Sequence, residues 1–206
     1  MKHFYLIATA VLCMAAGVVY GESASEQVIF ADDFTKPAEF GKYWDYRSPT
    51  QPLDGILEIG QNDFRPRLKS SIDGKENVTV KAEISNLGNT GFVGLNIDGI
   101  MFFVRDGSAV AVFKSPEKSY TDSKMKKIPD YKDGEFYKFE ITRTKVGDDF
   151  EYLYKINGNE MCVVKGQKIP PTNKIMFTSY KTGMKAKSFA ITEPATVTDA
   201  AAPKAE

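Results

Sequence analysis

The side chains able to do chemistry form a short inventory. His3 is the only histidine in 206 residues, and it lies in an apolar leader. Without it the chain builds no Ser-His-Asp triad, no Cys-His pair and no His-ligated zinc or copper site. Beyond Cys13 in the same leader the only cysteine is Cys162, in the apolar run Met161-Cys-Val-Val164. A thiol there acts as a small hydrophobe, with nothing beside it to lower its pKa, and it has no partner for an intrachain disulfide. Carboxylates come in two adjacent pairs, Asp32-Asp33 and Asp148-Asp149. Such hard oxygen donors suit calcium, but adjacent strand residues point apart, so at most one Asp of each pair coordinates. Asp148-Asp149, following Gly147, reads more simply as a solvated turn. Asn77-Val78-Thr79 fits a glycosylation acceptor at the start of a strand and matters only in a glycosylating host. Two further groups stand out: Tyr43, Trp44 and Tyr46 around the sole tryptophan, and Phe92, Asn96, Phe103, Arg105 and Tyr180. The second group offers apolar stacking surface and polar clamps if its members share one sheet face.

Composition sets the frame for these residues. With 27 basic against 27 acidic residues and no basic cluster, electrostatic capture of nucleic acid is not expected. Met1-Lys2-His3, the uncharged apolar run from Phe4 to Tyr20, and the small residues Val19 and Gly21 follow the order of a secretory signal peptide. Residues 1–21 are therefore expected to be removed on export, placing the mature chain in the periplasm or outside the cell. The run is shorter than the roughly 20 residues of a membrane span and no stop-transfer cluster follows, so no membrane insertion is expected once the leader is gone. Leu12 before Cys13 is too large for a lipid-anchor site. A spacer over 22–27, one domain over 28–192 and a disordered Ala/Pro-rich tail over 193–206 complete the expected organisation.

The elements that must position the candidate residues are strands. From Glu135 the chain reads Phe-Tyr-Lys-Phe-Glu-Ile-Thr-Arg143, with Tyr137, Phe139 and Ile141 on one parity; Phe150, Tyr152, Tyr154 and Ile156 repeat the pattern. A period of two marks one buried and one wet face. Asn157-Gly158 between such runs supplies the positive φ angles of a tight hairpin turn, so residues 135–165 form an antiparallel meander. Val78, Val80, Ala82 and Ile84 alternate in the same way. Val93, Leu95 and Ile97 point inward and leave Phe92 and Asn96 opposite. Asp98-Gly99 and Asp106-Gly107 turn the chain into Ile100–Arg105 and Ala109–Phe113. Phe64 to Ser70, interrupted by Pro66, reads as an edge strand. The polar stretch from Ser115 to Lys132 reads as a loop with one edge segment, and Lys174–Tyr180 and Lys185–Thr192 are the last strands. No helical stripe of three turns occurs after Tyr20. About a dozen short strands at such spacing predict an all-β antiparallel sandwich or barrel.

The order Phe30-Ala-Asp-Asp-Phe34, Trp44, then Asp54-Gly-Ile-Leu-Glu-Ile59 resembles the opening of concanavalin A-like lectin/glucanase domains. Within them it is most similar to laminin-G-like and 3-keto-disaccharide hydrolase-type domains. Gly134–Ile141 and Tyr154-Lys-Ile-Asn-Gly158 resemble the same group's later hairpin. The resemblance implies a two-sheet jelly roll whose concave sheet binds glycans, and a structural calcium ion near Asp33. On that footing Phe92, Asn96, Arg105 and Tyr180 are expected to line a carbohydrate groove. Trp44 offers a face for a sugar ring, against the commoner use of such an aromatic in packing. Retaining glucanases of the group carry Glu-x-Asp-x-Glu or Glu-x-Asp-x-x-Glu; neither spacing occurs here. The expectation is an exported carbohydrate-binding domain without catalysis. The alternatives are a glycoside-processing enzyme with another acidic pair, or an adhesive envelope module that binds a protein partner.

Overall fold

A computed structural model describes residues 26–46, 52–61, 66–69, 72, 74–88, 91–113, 121–167 and 174–194. The expected leader, most of the spacer, the tail beyond Pro194, residues 114–120 and Pro170-Pro171, which the sequence suggests as a loop, lie outside the described residues.

The described chain runs β1 (Glu26–Asp32), α1 (Pro37–Tyr43), β2 (Trp44–Asp45), β3 (Leu57–Ile59), β4 (Arg67–Leu68), β5 (Val78–Asn86), β6 (Phe92–Ile97), β7 (Ile100–Arg105) and β8 (Ser108–Phe113). It continues as β9 (Thr121–Asp122), β10 (Lys126–Lys127), β11 (Phe136–Val146), β12 (Asp149–Ile156), β13 (Asn159–Gln167), β14 (Ile175–Tyr180) and β15 (Met184–Pro194). The first sheet has the order β1-β15-β5-β11-β12-β13, with β3 also on β15; the second has the order β10-β8-β7-β6-β14-β4-β2, with β9 also on β8. Every pairing is antiparallel. The molecule is thus the two-sheet sandwich expected. Asp98-Gly99, Asp106-Gly107 and Asn157-Gly158 all take positive φ at both residues, the geometry that matches the twist of flanking strands.

The core lies between the sheets and follows the period-two pattern. Val78, Val80, Ala82 and Ile84 of β5, Tyr137, Phe139 and Ile141 of β11, and Tyr152, Tyr154 and Ile156 of β12 face Val93, Leu95 and Ile97 of β6 and Phe102 and Val104 of β7. Trp44 is 0% exposed. Its ring packs 5.1 Å from Phe189 and 5.3 Å from Phe177 (centroid distances), and its indole N–H donates to Asp32 Oδ2 at 2.7 Å. Truncating so buried a ring costs about 3–5 kcal/mol.

Three features depart from the sequence reading. Residues 37–43 form a helix: Pro37 occupies its first turn, Glu39 and Lys42 suit its ends, and Phe40 is its buried residue. Two turns are too short to leave a helical stripe. β4 is not an edge, because β2 pairs beyond it through Trp44↔Leu68 and Asp45↔Arg67; Pro66 stands before the strand, where its missing N–H costs no ladder bond, and its carbonyl accepts from Phe177 N. The polar Ser115 to Lys132 stretch contributes two short strands on β8, β9 and β10.

A buried ion pair fastens one sheet to the other. Arg143 continues the inward parity of β11 and is 1% exposed. Its Nη1 donates to Asp98 Oδ2 at 2.9 Å, Nη2 donates to the Lys75 carbonyl, and its guanidinium lies 5.5 Å from the Phe150 ring centre. Tyr152 OH donates to the same Asp98 oxygen at 3.0 Å. Burial, reinforced by the Asp98 charge, holds the Tyr152 phenol well above its ordinary pKa. The first sheet thereby grips the β6–β7 turn of the second.

Candidate functional site

The two outer faces of the sandwich differ in chemistry. The first sheet presents a lattice of matched charges: Lys81 on Glu26, Lys155 on Glu140, Lys187 on Glu83 and Lys185 on Glu58. Such exposed pairs contribute about 0–1 kcal/mol each and keep a face soluble. Register defines the outer face of the second sheet, since directly opposed residues project to the same side. One row across β14, β6, β7 and β8 is Tyr180, Phe92, Arg105 and Ser108. The next is Thr178, Gly94, Phe103 and Val110, and the third is Met176, Asn96, Met101 and Val112. Across these four strands the three rows carry no carboxylate; register carries the third row on to Asp122 of β9 at one end and to Arg67 and Asp45, an ion pair, at the other.

The first row is the candidate site. Phe92 stacks beside Tyr180 with ring centres 5.5 Å apart and beside Phe103 of the second row at 4.5 Å. Tyr180 is 47% exposed, with Lys181 Nζ 5.3 Å from its ring centre. Arg105 is exposed and donates from Nη2 to Met125 Sδ at 3.6 Å. Gly94 is required between these strands, because a Cβ there would lie 2.0 Å from Phe102 O and 2.6 Å from Phe103 Cα. Phe103 itself is buried yet stands outside the inter-sheet core. Thr178 Oγ1, buried on the same face, makes no hydrogen bond, an uncommon state for a buried hydroxyl.

The sequence-derived candidates separate accordingly. Tyr180, Phe92 and Arg105 come together as neighbours on three adjacent strands. Asn96 shares their face but stands four residues along β6 from Phe92, roughly 13 Å at strand rise. Its Oδ1 accepts from Gly99 N at 3.1 Å and braces the β6–β7 turn. Trp44 is a correction: it has no accessible ring face, because it fills the core beside Phe40, Phe177 and Phe189. Sequence reasoning missed Thr178 and Gly94, whose place depends on which strand becomes the neighbour of β6.

Asp33 is exposed and its Oδ1 accepts from both the backbone N–H and the hydroxyl of Thr35. Those bonds, the hydroxyl's first, hold its carboxyl below the usual range. Calcium takes about six to eight oxygen ligands. Among the described residues no group of three or more acidic, His or Cys side chains is placed to hold an ion, and Asp33 supplies a single carboxylate. A concavity of about 490 Å³ lies between β1 and α1, lined by Phe30, Asp32, Asp33, Lys36, Glu39 and Tyr43 among others. The Asp32 oxygens are already committed to Phe34 N and to Trp44 Nε1, so its polar wall is largely structural. Asp148 sits in the exposed β11–β12 turn beside Gly147. Cys162 is partly buried, and burial pushes its thiol up, away from the reactive thiolate.

Two antiparallel sheets in this order define a jelly-roll sandwich of the concanavalin A-like type. The fold is similar to an endo-1,3-β-glucanase from Streptomyces sioyaensis (11% identity over 82% of this chain and 96% of that one, TM-score 0.61). It is also similar to the Emp46p carbohydrate recognition domain in metal-free form (11% identity, 73% and 88% covered, TM-score 0.54) and to alginate lyase vAL-1 from a Chlorella virus (12% identity, 81% and 100% covered, TM-score 0.55). No protein-family model matches the sequence, and no curated protein matches it.

Proposed function

We propose that the protein is an exported, non-catalytic carbohydrate-binding module whose glycan lies on the outer face of the second sheet. The observation that carries this is the row Tyr180–Phe92–Arg105: adjoining aromatic rings next to an exposed guanidinium, on strands that carry none of the charge pairs that cover the other sheet. Sugars offer apolar C–H faces and hydroxyls together, which suits aromatic surface beside hydrogen-bonding tips. Three similar folds are named for work on glycans: a glucanase, a carbohydrate recognition domain and an alginate lyase. Binding is favoured over hydrolysis because glycosidases place two carboxyls about 5–5.5 Å apart or about 6.5–9.5 Å apart across the bond. The three rows hold none across β14, β6, β7 and β8, and the acids that register adds, Asp122 and Asp45, stand at opposite ends of the third row. The leader over residues 1–21 supports export, and the Phe30–Phe34 and Asp54–Ile59 motifs support a place beside laminin-G-like domains.

The test is a glycan array probed with the purified protein, with and without calcium. Tyr180→Ala and Arg105→Ala should each weaken binding about fivefold or more, from roughly 1 kcal/mol of lost contact, with an unchanged circular dichroism spectrum. The calcium arm examines Asp33: binding lost both on chelation and in Asp33→Ala would give the ion a part. A blank array in both conditions refutes carbohydrate binding and leaves the protein-binding module.

A further inference from the structure

We infer that the glycan is acidic: a polysaccharide bearing carboxylate or sulfate groups, laid across the strands along the row from Tyr180 to Lys127. This rests on the reading of the second sheet as a glycan platform and adds the charge of its ligand. Register extends the first row past Ser108 to Lys127 of β10. The row therefore runs Tyr180, Phe92, Arg105, Ser108, Lys127 over five adjacent strands. Strands lie about 4.8 Å apart, so Arg105 stands roughly 10 Å from Tyr180 and Lys127 roughly 10 Å further on. Aromatic surface opens the row and two cations follow, roughly 10 Å apart, a spacing that two anionic groups of one polymer can span.

The cations are not consumed within the protein. Among the described residues the Arg105 side chain donates only to the Met125 thioether, a weak acceptor, which leaves the rest of its five-donor fork unspent. Among the same residues neither Arg105 nor Lys127 joins an ion pair, whereas the lysines facing outward on β5, β12 and β15 sit on glutamates. The acids nearest in the chain are Asp106, beside Arg105 in the β7–β8 turn, and Asp130, three residues after Lys127, with Asp122 opposite Val112; among the described residues none of them pairs with Arg105 or Lys127. A guanidinium fork takes a planar carboxylate or a sulfate through two parallel N–H···O bonds. A neutral glucan would leave that capacity to water.

Affinity of the full protein is measured for three polymers: a polygalacturonate, a sulfated galactan and a neutral β-1,3-glucan. At least one acidic polymer should bind about tenfold more tightly than the glucan, and that margin should shrink as salt rises to about 0.5 M. The first two polymers distinguish carboxylate from sulfate. Arg105→Gln should abolish the margin and Lys127→Gln should reduce it, with melting temperatures unchanged. Arg105→Lys should restore part of it. Lys138→Gln, an exposed lysine on the opposite sheet, should leave it intact. If the glucan binds as well as the acidic polymers, or if Arg105→Gln leaves the margin in place, the acidic assignment falls while the platform stands. If none of the three binds, assignment and platform fall together.

Discussion

Asp98→Asn is the sharpest probe of what joins the two sheets. Asparagine keeps the size of the side chain and tolerates the backbone φ of 56° at this turn, so the change removes charge with little added strain. It leaves the Arg143 guanidinium, 1% exposed, without its carboxylate at 2.9 Å, and weakens the bond from Tyr152 OH. Breaking a buried pair by removing one partner costs about 3–5 kcal/mol; the surviving amide oxygen puts this variant at the lower end, about 3 kcal/mol. With a urea m-value of about 2 kcal/mol/M the unfolding midpoint should fall by about 1.5 M. Arg143→Met should also destabilise, because Asp98 and the Lys75 carbonyl both lose a donor. Once the guanidinium is gone, however, the asparagine in place of Asp98 strands no buried charge. The double variant should therefore be more stable than the sum of the two single losses by about 1.5 kcal/mol or more, the signature of a coupled pair. Urea unfolding followed by fluorescence of the sole tryptophan reads all three. Single losses that add within about 0.5 kcal/mol, or a midpoint shift under about 0.5 M for Asp98→Asn, would refute the account.

Two further outcomes follow from the same coordinates. Burial, ahead of neighbouring charge, keeps the phenols of Tyr131, Tyr152 and Tyr154 protonated beyond their ordinary range. The native state then holds protons that the unfolded chain sheds near pH ~10, so stability is intact below that pH and is lost as pH rises above it. Phenolate absorbance should show a late fraction that appears together with loss of the circular dichroism signal; a single smooth titration near pH ~10 with native structure retained would contradict this. Gly94→Ala places a Cβ 2.0 Å from Phe102 O and forces the β6–β7 backbone apart. At about 2–3 kcal/mol of overpacking the melting temperature should drop by about 5–10 °C, and glycan affinity should fall as the Phe92–Phe103 contact opens; an unchanged melting curve would show that the strand yields freely.

The amino-acid sequence by itself determined the strands and their faces. Tyr137, Phe139 and Ile141 are inward because strand side chains alternate, and Asn157-Gly158 and Asp98-Gly99 turn the chain because both residues of each pair accept positive φ. The same alternation placed Phe92 opposite Val93 and Arg105 opposite Val104. It also held a signal that hydrophobicity alone passes over: Arg143 shares the parity of Ile141, so a buried cation was legible as a charge at an inward position. The helix over Pro37–Tyr43 was not legible, since two turns with one buried residue carry no period.

Only the tertiary structure decided which strands became neighbours. β14 lies next to β6 although more than seventy residues separate them, and that single pairing brings Tyr180 beside Phe92. Parity orients a side chain relative to its own strand and says nothing of the strand that will lie alongside, a choice made by long-range closure of the two sheets over one core. The same closure sealed Trp44 between Phe177 and Phe189, taking the most conspicuous aromatic of the sequence out of reach of any ligand. It also left Arg105 exposed on the outer face, where no carboxylate of the described residues pairs with it.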